Sequence, residues 1–431
     1  MTHYNPKNNP IQTAQTHAIG EVYSPVKAEV RDTQRQRQLY NLLPIIPFFD
    51  GGDASLDLFL KLRMFSSTHA AVIGSISDYV LGGGFTVEYG RRRGVAVRKD
   101  KKKEITDTEE EAYWQFIESF IDTGKLMTIA ERLLDNYSTY GNAMLEIVLS
   151  NIAGTPFAKL HNHDADRCRY LSTDEGQQKM FWVSPLWSYD YLRRYDPELI
   201  PLYSPNNESS YLEIDGIKRT MIHLKNEVTG FNWYGLPPAL ASLYHQYGEL
   251  QLGEYTTEGY ANQFTGKMFF EAVGDPEDNE QVDKFKEAIE RNYTYKGNRR
   301  SSIMARIVRD KDDYSKVHEF KTNTDEKFHD VMKDINEEQI LKTHNWHHVL
   351  LGVKVAGSLG NSNEFAEVFK NKYKTKIKPL QNKILGVLNE AIREVAKHLG
   401  REDMMRYSLG LSNLFQDILD SEKELEQSKK A

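Results

Sequence analysis

The chain has 431 residues, 39% hydrophobic and 27% charged, with 55 Lys and Arg against 62 Asp and Glu for a net charge of −7. That length allows two or three average domains or one elongated subunit, and the acidic balance excludes a protein that coats nucleic acid over its whole surface. A single cysteine, Cys168, excludes an intramolecular disulfide and fits a reducing cytoplasm, while a polar amino terminus and no apolar run of spanning length argue against a secreted or membrane chain.

Residues 1–53 carry no sustained periodicity and read as an extended arm. Leu56, Phe59, Leu60 and Met64 recur at helical spacing and, with Ala70 to Leu81, predict a helix stopped by Gly82-Gly83-Gly84. Phe85, Val87 and Tyr89 alternate as a strand. The tract Arg91 to Lys103 follows, with eight Lys or Arg against Asp100, and reads as a solvated hairpin tip or a nucleic-acid contact. Thr106 to Asp122 predicts a capped helix in which Thr108 leads three glutamates. Met127 to Tyr140 predicts another, passing through Gly141-Asn142 into a strand from Ala143 to Val148. Short strands and turns then run to residue 230, among them Tyr211 to Ile214 and Met221 to Leu224.

Pro238 to Phe264 predicts one long helix. A small strand–helix–strand module follows: Met268 to Phe270, Asn279 to Asn292, and Ser302 to Val308. Thr324 caps a further helix that ends near His344, with Phe328, Val331, Met332, Ile335 and Gln339 on one face. Between His348 and Glu364 lies a glycine-rich loop whose one charge is Lys354. The last long helix carries the stripe Phe365, Val368, Phe369, Tyr373, Ile377, Leu380, Ile384 and Leu388, with Lys370, Lys374 and Lys378 on one side and Lys372 and Lys376 on the other. Pro379 should kink it. One more amphipathic helix is expected after Gly400.

Two clusters carry potential chemistry. His161, His163, Asp164 and Asp166 combine imidazole and carboxylate, which ligate zinc or manganese when a second element contributes; a polar turn is the plainer reading. His344, His347 and His348 have one-face helical spacing, but Asn345-Trp346 stand where a zinc protease needs glutamate, so packing or a helix-end role is expected. No Walker lysine, nucleophile elbow or paired-Cys motif is present, and no catalytic residue, metal or cofactor is expected.

The order of parts resembles the portal proteins of long-tailed bacteriophages over about residues 54–400. It rests on Gly141-Asn142-Ala143-Met144-Leu145-Glu146, on the turn Tyr234-Gly235-Leu236-Pro237-Pro238 opening a helix, and on the glycine-rich loop after His348. The resemblance implies an elongated α+β subunit: arm 1–53, β-rich wing 54–235, stem helix 236–264, α/β clip 265–320, second stem helix 321–351, tunnel loop 352–363, kinked wing helix 364–399 and a short helical crown 400–431. It implies a ring, twelvefold in that family, at one capsid vertex of a virion assembled in the host bacterial cytoplasm. Double-stranded DNA would pass through the ring, beside the major capsid protein, and the clip would dock the terminase large subunit and later the head–tail adaptor. Lys354, Ser358, Asn361, Ser362 and Asn363 are then the channel-facing candidates, and Lys284, Lys286, Arg291, Arg299 and Arg300 the clip's partner-binding ones. The chain departs from the family in having Gly352-Val353-Lys354-Val355 where many members have Val-Pro-Pro. Two other readings stand beside it: a metal-dependent nuclease built on the His161–Asp166 cluster, and another minor capsid protein.

Overall fold

A computed structural model describes residues 43–48, 54–89, 105–152, 154–172, 179–205, 207, 210–261, 267–273, 280, 283–284, 287, 304–308, 316–320, 326–352, 362–416, 418 and 420. The fold is α+β, as expected, and divides into two compact units. One joins Met1–Tyr244 to Gln339–Ala431; the other is the excursion His245–Glu338. Among the described residues no helix is long and apolar enough to cross a membrane.

The first unit is built on an antiparallel sheet of order β4-β3-β9-β8, formed by β3 (Asn142–Ile152), β4 (Thr155–His163), β8 (Leu212–Ile214) and β9 (Ile217–Lys225). A second sheet has the order β1-β5-β6-β7, from β1 (Ile45–Ile46), β5 (Cys168–Leu171), β6 (Met180–Val183) and β7 (Glu198–Pro201). Helices α1 (Ala54–Phe65), α2 (Ser67–Leu81), α3 (Asp107–Glu118) and α4 (Thr123–Tyr140) precede β3. One core joins Val72, Ile76 and Val80 of α2, Leu133 and Tyr137 of α4, Leu145 and Ile147 of β3, and the stripe of the last long helix.

Local chemistry sets most boundaries. Thr106, not Thr108, caps α3: its hydroxyl accepts from the Glu109 amide while the Glu109 carboxylate accepts from the Thr106 amide. Asp122 accepts from the Gly124 amide at 2.9 Å and starts α4 four residues earlier than the apolar pattern predicts. The helix expected across residues 56–81 is two helices, broken at Ser66, whose backbone is extended. Leu60 and Met64 of the predicted stripe face solvent, while Leu62 is buried.

The last long helix comprises α7 (Ser362–Lys372), a π turn at Tyr373–Ile377 and α8 (Lys378–His398). Pro379 has no N–H to give, and its ring crowds the carbonyl four residues back, that of Thr375 inside the π turn. Where a kink was expected the helix widens locally. Ser362 and Asn363, expected in the loop, already belong to α7.

The stretch after Gly400, expected to be helical, holds a strand before its helix, which shows among the described residues at Gln416, Ile418 and Asp420. After a short 3-10 turn, Tyr407–Leu411 is a strand, β13, paired antiparallel with β2 (Phe85–Tyr89). Ser408, Leu409, Gly410 and Leu411 are all buried, so both faces of the strand are covered. The Asn389 side chain holds the outer backbone, accepting from the Leu409 amide at 2.7 Å and donating to its carbonyl at 3.0 Å.

The second unit contains most of α5 (Leu243–Ala261) and α6 (Glu326–Thr343), with a sheet of order β11-β10-β12 formed by β10 (Lys267–Val273), β11 (Met304–Val308) and β12 (Lys316–Phe320). β10 and β11 are parallel and β12 is antiparallel to β10. The third strand was not expected. Within this unit Asn336 is buried and its Oδ1 accepts a hydrogen bond from His245 Nδ1 at 3.0 Å. The apolar face expected on α6 is only partly covered: Val331 is 52% and Ile335 39% exposed, while Met332 and Gln339 are half-buried.

Candidate functional site

The two phrases that carry the resemblance meet in space. Gly141 ends α4 in the left-handed region at φ 72°, and its carbonyl accepts from the Asn226 amide. The Asn142 amide then clasps Gly235 from both sides: Oδ1 accepts from the Gly235 amide at 2.7 Å, and Nδ2 donates to the Gly235 carbonyl at 2.8 Å and to the Tyr140 carbonyl. Asn226 donates from its own side chain to the Leu236 carbonyl and accepts from the Tyr137 hydroxyl. Tyr234 donates to the Ile46 carbonyl and accepts from the Tyr170 amide, tying β1 and β5 of the second sheet to the same turn. A buried backbone that can neither meet water nor join a sheet ladder is satisfied here by two asparagines. This knot fixes where the chain leaves for α5.

His223 extends the knot. Its Nε2 lies 2.9 Å from Asn142 Oδ1 and its Nδ1 2.8 Å from the Tyr170 hydroxyl. Because Asn142 Nδ2 already serves two carbonyls, Nε2 must carry the proton and Nδ1 accept from Tyr170. Burial, helped by the charges of Lys225 and Lys179, pushes its pKa down to about 3, which keeps the ring neutral.

Glu146, the acid of the first phrase, is 2% exposed and bonded by His163 at 2.7 Å and by Arg219, which also reaches Glu198. Burial pushes its carboxyl up, but the hydrogen bonds from His163 and Arg219 outweigh this and hold it below the ordinary range. The residue is a cross-strand tie between β4, β3 and β9.

Of the metal candidates, His163 is committed to Glu146. His161 and His163 lie at the end of β4, not in a turn, and meet edge to face. Asp164 accepts from Asn136, and Asp166 is raised by burial and then by the Asp164 charge. Among the described residues no group of three or more His, Cys, Asp or Glu is placed to hold a metal ion.

The histidine triplet closes α6. Asn345 at φ 52° and Trp346 return hydrogen bonds to Lys342 and Leu341, a left-handed helix cap. His344 is buried with His69 at 2.9 Å, and His347 caps the 3-10 turn His348–Leu351 by accepting from Val349. Burial, then the charge of Arg63, lowers His69 to about 4; burial, then His69 and Lys376, lowers His344 well below its usual value.

Acid should therefore undo this unit. His69, His223 and His344 resist protonation only while folded, so the stability they carry is whole above about pH 6.5 and is lost as pH falls toward about 4 for His69 and about 3 for His223. Each can contribute up to about 1.4 kcal/mol per pH unit across its window. The thermal midpoint is expected to fall steadily below pH 6.5; a midpoint unchanged down to pH 4.5 would contradict the neutral assignments.

Of the clip candidates, Lys284 is exposed and pairs with Glu280 at 2.6 Å. Lys286, Arg291, Arg299 and Arg300 lie outside the described residues, as do Lys354, Ser358 and Asn361 and the basic tract Arg91 to Lys103. The 3-10 turn before Lys354 ends at Gly352, φ 72°. That turn is pinned by buried Leu350, whose carbonyl accepts from Ser75, and by Trp346, which donates to the same hydroxyl. Asn226, His223 and Arg219 were not singled out from sequence; their partners Tyr137, Asn142 and Glu146 lie 89, 81 and 73 residues away, and no local pattern marks them.

No protein-family model matches the sequence, and no curated protein matches it. Among solved structures the chain is similar to one in the virion of a native gene transfer agent particle, with TM-score 0.47 and 13% identity over 86% of this chain and 88% of that one. It is similar also to a chain in the neck of the empty particle computed with C6 symmetry (TM-score 0.49, 14% identity, 85% and 87% covered). A third likeness is to a chain in the neck of the native particle computed with C12 symmetry (TM-score 0.48, 13% identity, 86% and 88% covered).

Proposed function

We propose that the chain is a portal-type subunit: a ring at one capsid vertex through which DNA is packaged and ejected, with the clip docking the packaging motor and then the tail adaptor. The observation that carries this reading is the excursion His245–Glu338, a helix out, a small α/β module and a helix back, grown from a knot of buried backbone bonds. Within one chain its helices keep apolar groups open to solvent, with Tyr255 41%, Val331 52% and Ile335 39% exposed. Side-by-side copies would cover them in a closed cyclic assembly. The role is mechanical, and the energy source is a separate motor chain.

Electron micrographs and native mass spectra of the purified protein test this reading. Closed rings with a central hole, twelvefold in the assembled particle, are expected; a monomer at every salt and protein concentration would end the proposal.

In the same reading Lys354 sits on the loop lining the narrowest part of the channel. Repeated around the ring it makes a basic belt that touches phosphates without fixing them, since lysine is a flexible point charge. Lys354→Glu is expected to leave rings intact and to lower packaged or retained DNA about tenfold or more, read by nuclease-protected DNA per particle. Rings that package normally would remove Lys354 from the channel.

A further inference from the structure

We propose that Lys372, Lys376 and Lys383 form a binding site for a phosphate group beside the π turn that joins α7 to α8. The inference concerns the first unit alone and stands whether or not the chain forms rings.

The three lysines fall four and seven residues apart, which places them along one helix face, and Lys376 lies within the π turn itself. The charges of Lys372 and Lys383 both act on Lys376, and that of Lys376 acts on buried His344. Lys372 donates to Asn345 Oδ1 at 2.7 Å. Lys383 donates to the Tyr137 hydroxyl and lies 4.8 Å from the centre of that ring. These partners are neutral, as are His69 and His344 behind them. Among the described residues no carboxylate stands within ion-pair distance of any of the three.

An ammonium partly stripped of water and set between two others is unfavourable by itself. Burial and the two neighbouring charges push Lys376 down to about 8, so it still carries its proton at neutral pH and calls for a negative group. A tetrahedral oxyanion supplies several acceptor oxygens, and lysine's rotatable N–H donors adapt to it without a planar match. The shared chemistry is a phosphate, whether free in solution or in the backbone of DNA.

The test acylates the full-length protein near neutral pH with an amine reagent and reads each lysine by peptide mass spectrometry. Three conditions are compared: no anion, inorganic phosphate, and a short DNA duplex. Phosphate or duplex is expected to slow acylation of Lys376 about tenfold while exposed Lys397 is unaffected. Protection by inorganic phosphate but not by duplex assigns a free oxyanion; protection by duplex assigns the DNA backbone. Lys376→Met, which removes a desolvated and repelled charge, is expected to raise the thermal midpoint in anion-free buffer and to abolish the upward shift that phosphate gives the unaltered protein. Unchanged Lys376 acylation under both anions overturns the site, and so does a phosphate shift that persists in Lys376→Met.

Discussion

Replacing Gly235 by alanine is expected to cost more than about 4 kcal/mol, enough to leave little folded protein when a domain's whole stability is about 5–15 kcal/mol. A Cβ at Gly235 would lie 2.3 Å from the Gly141 carbonyl oxygen, 2.5 Å from the Asn226 amide nitrogen and 2.8 Å from its oxygen. All three are backbone atoms already committed to the knot, so nothing can swing aside. Gly141→Ala should be as severe, because its Cβ would lie 2.1 Å from the Leu236 oxygen and its φ of 72° disfavours any side chain. Gly253→Ala supplies the contrast: its Cβ would meet nothing within 4 Å, and within α5 it should stabilise by about 0.5–1 kcal/mol. Denaturant unfolding of the three variants reads the difference. A Gly235→Ala protein with an unchanged midpoint would show that the two phrases do not touch as described.

The second large effect is on assembly. Val331→Asp with Ile335→Asp changes two exposed positions of α6, so folding should shift by no more than about 1 kcal/mol. If lateral packing covers that face, each contact then buries unpaired carboxylates at a cost of several kcal/mol, repeated around the circle. Rings are expected to give way to monomers of unaltered circular dichroism, read by sedimentation velocity. Rings that persist would place the subunit contact elsewhere.

How much was legible follows from where the information lies. The stripe from Phe365 to Leu388 was readable because each member faces one core, and an irregularity near Pro379 because proline's missing N–H is a local fact. β13 was not, since its five residues include Gly410 and their partner strand is more than 300 residues away. Val331 and Ile335 were readable as one apolar face, but which surface covers it was not, because an apolar stripe has the same pattern whether it faces the same chain or a neighbour. The phrases around Gly141 and Gly235 were visible as phrases; that they clasp each other, 93 residues apart, was not.

The pairing of β2 with β13 also sets a schedule for the living cell. Glu88 meets Ser408 across 320 residues of chain. At a translation rate of about 5–20 residues per second, the strand at Phe85–Tyr89 waits on the order of tens of seconds for its mate. A nascent chain halted anywhere before Leu411 presents an open strand edge and an unfinished core, a substrate for chaperones and proteases. Completion of synthesis thereby acts as an inspection step. Only a chain synthesised past Leu411 can close this sheet and the core beneath it.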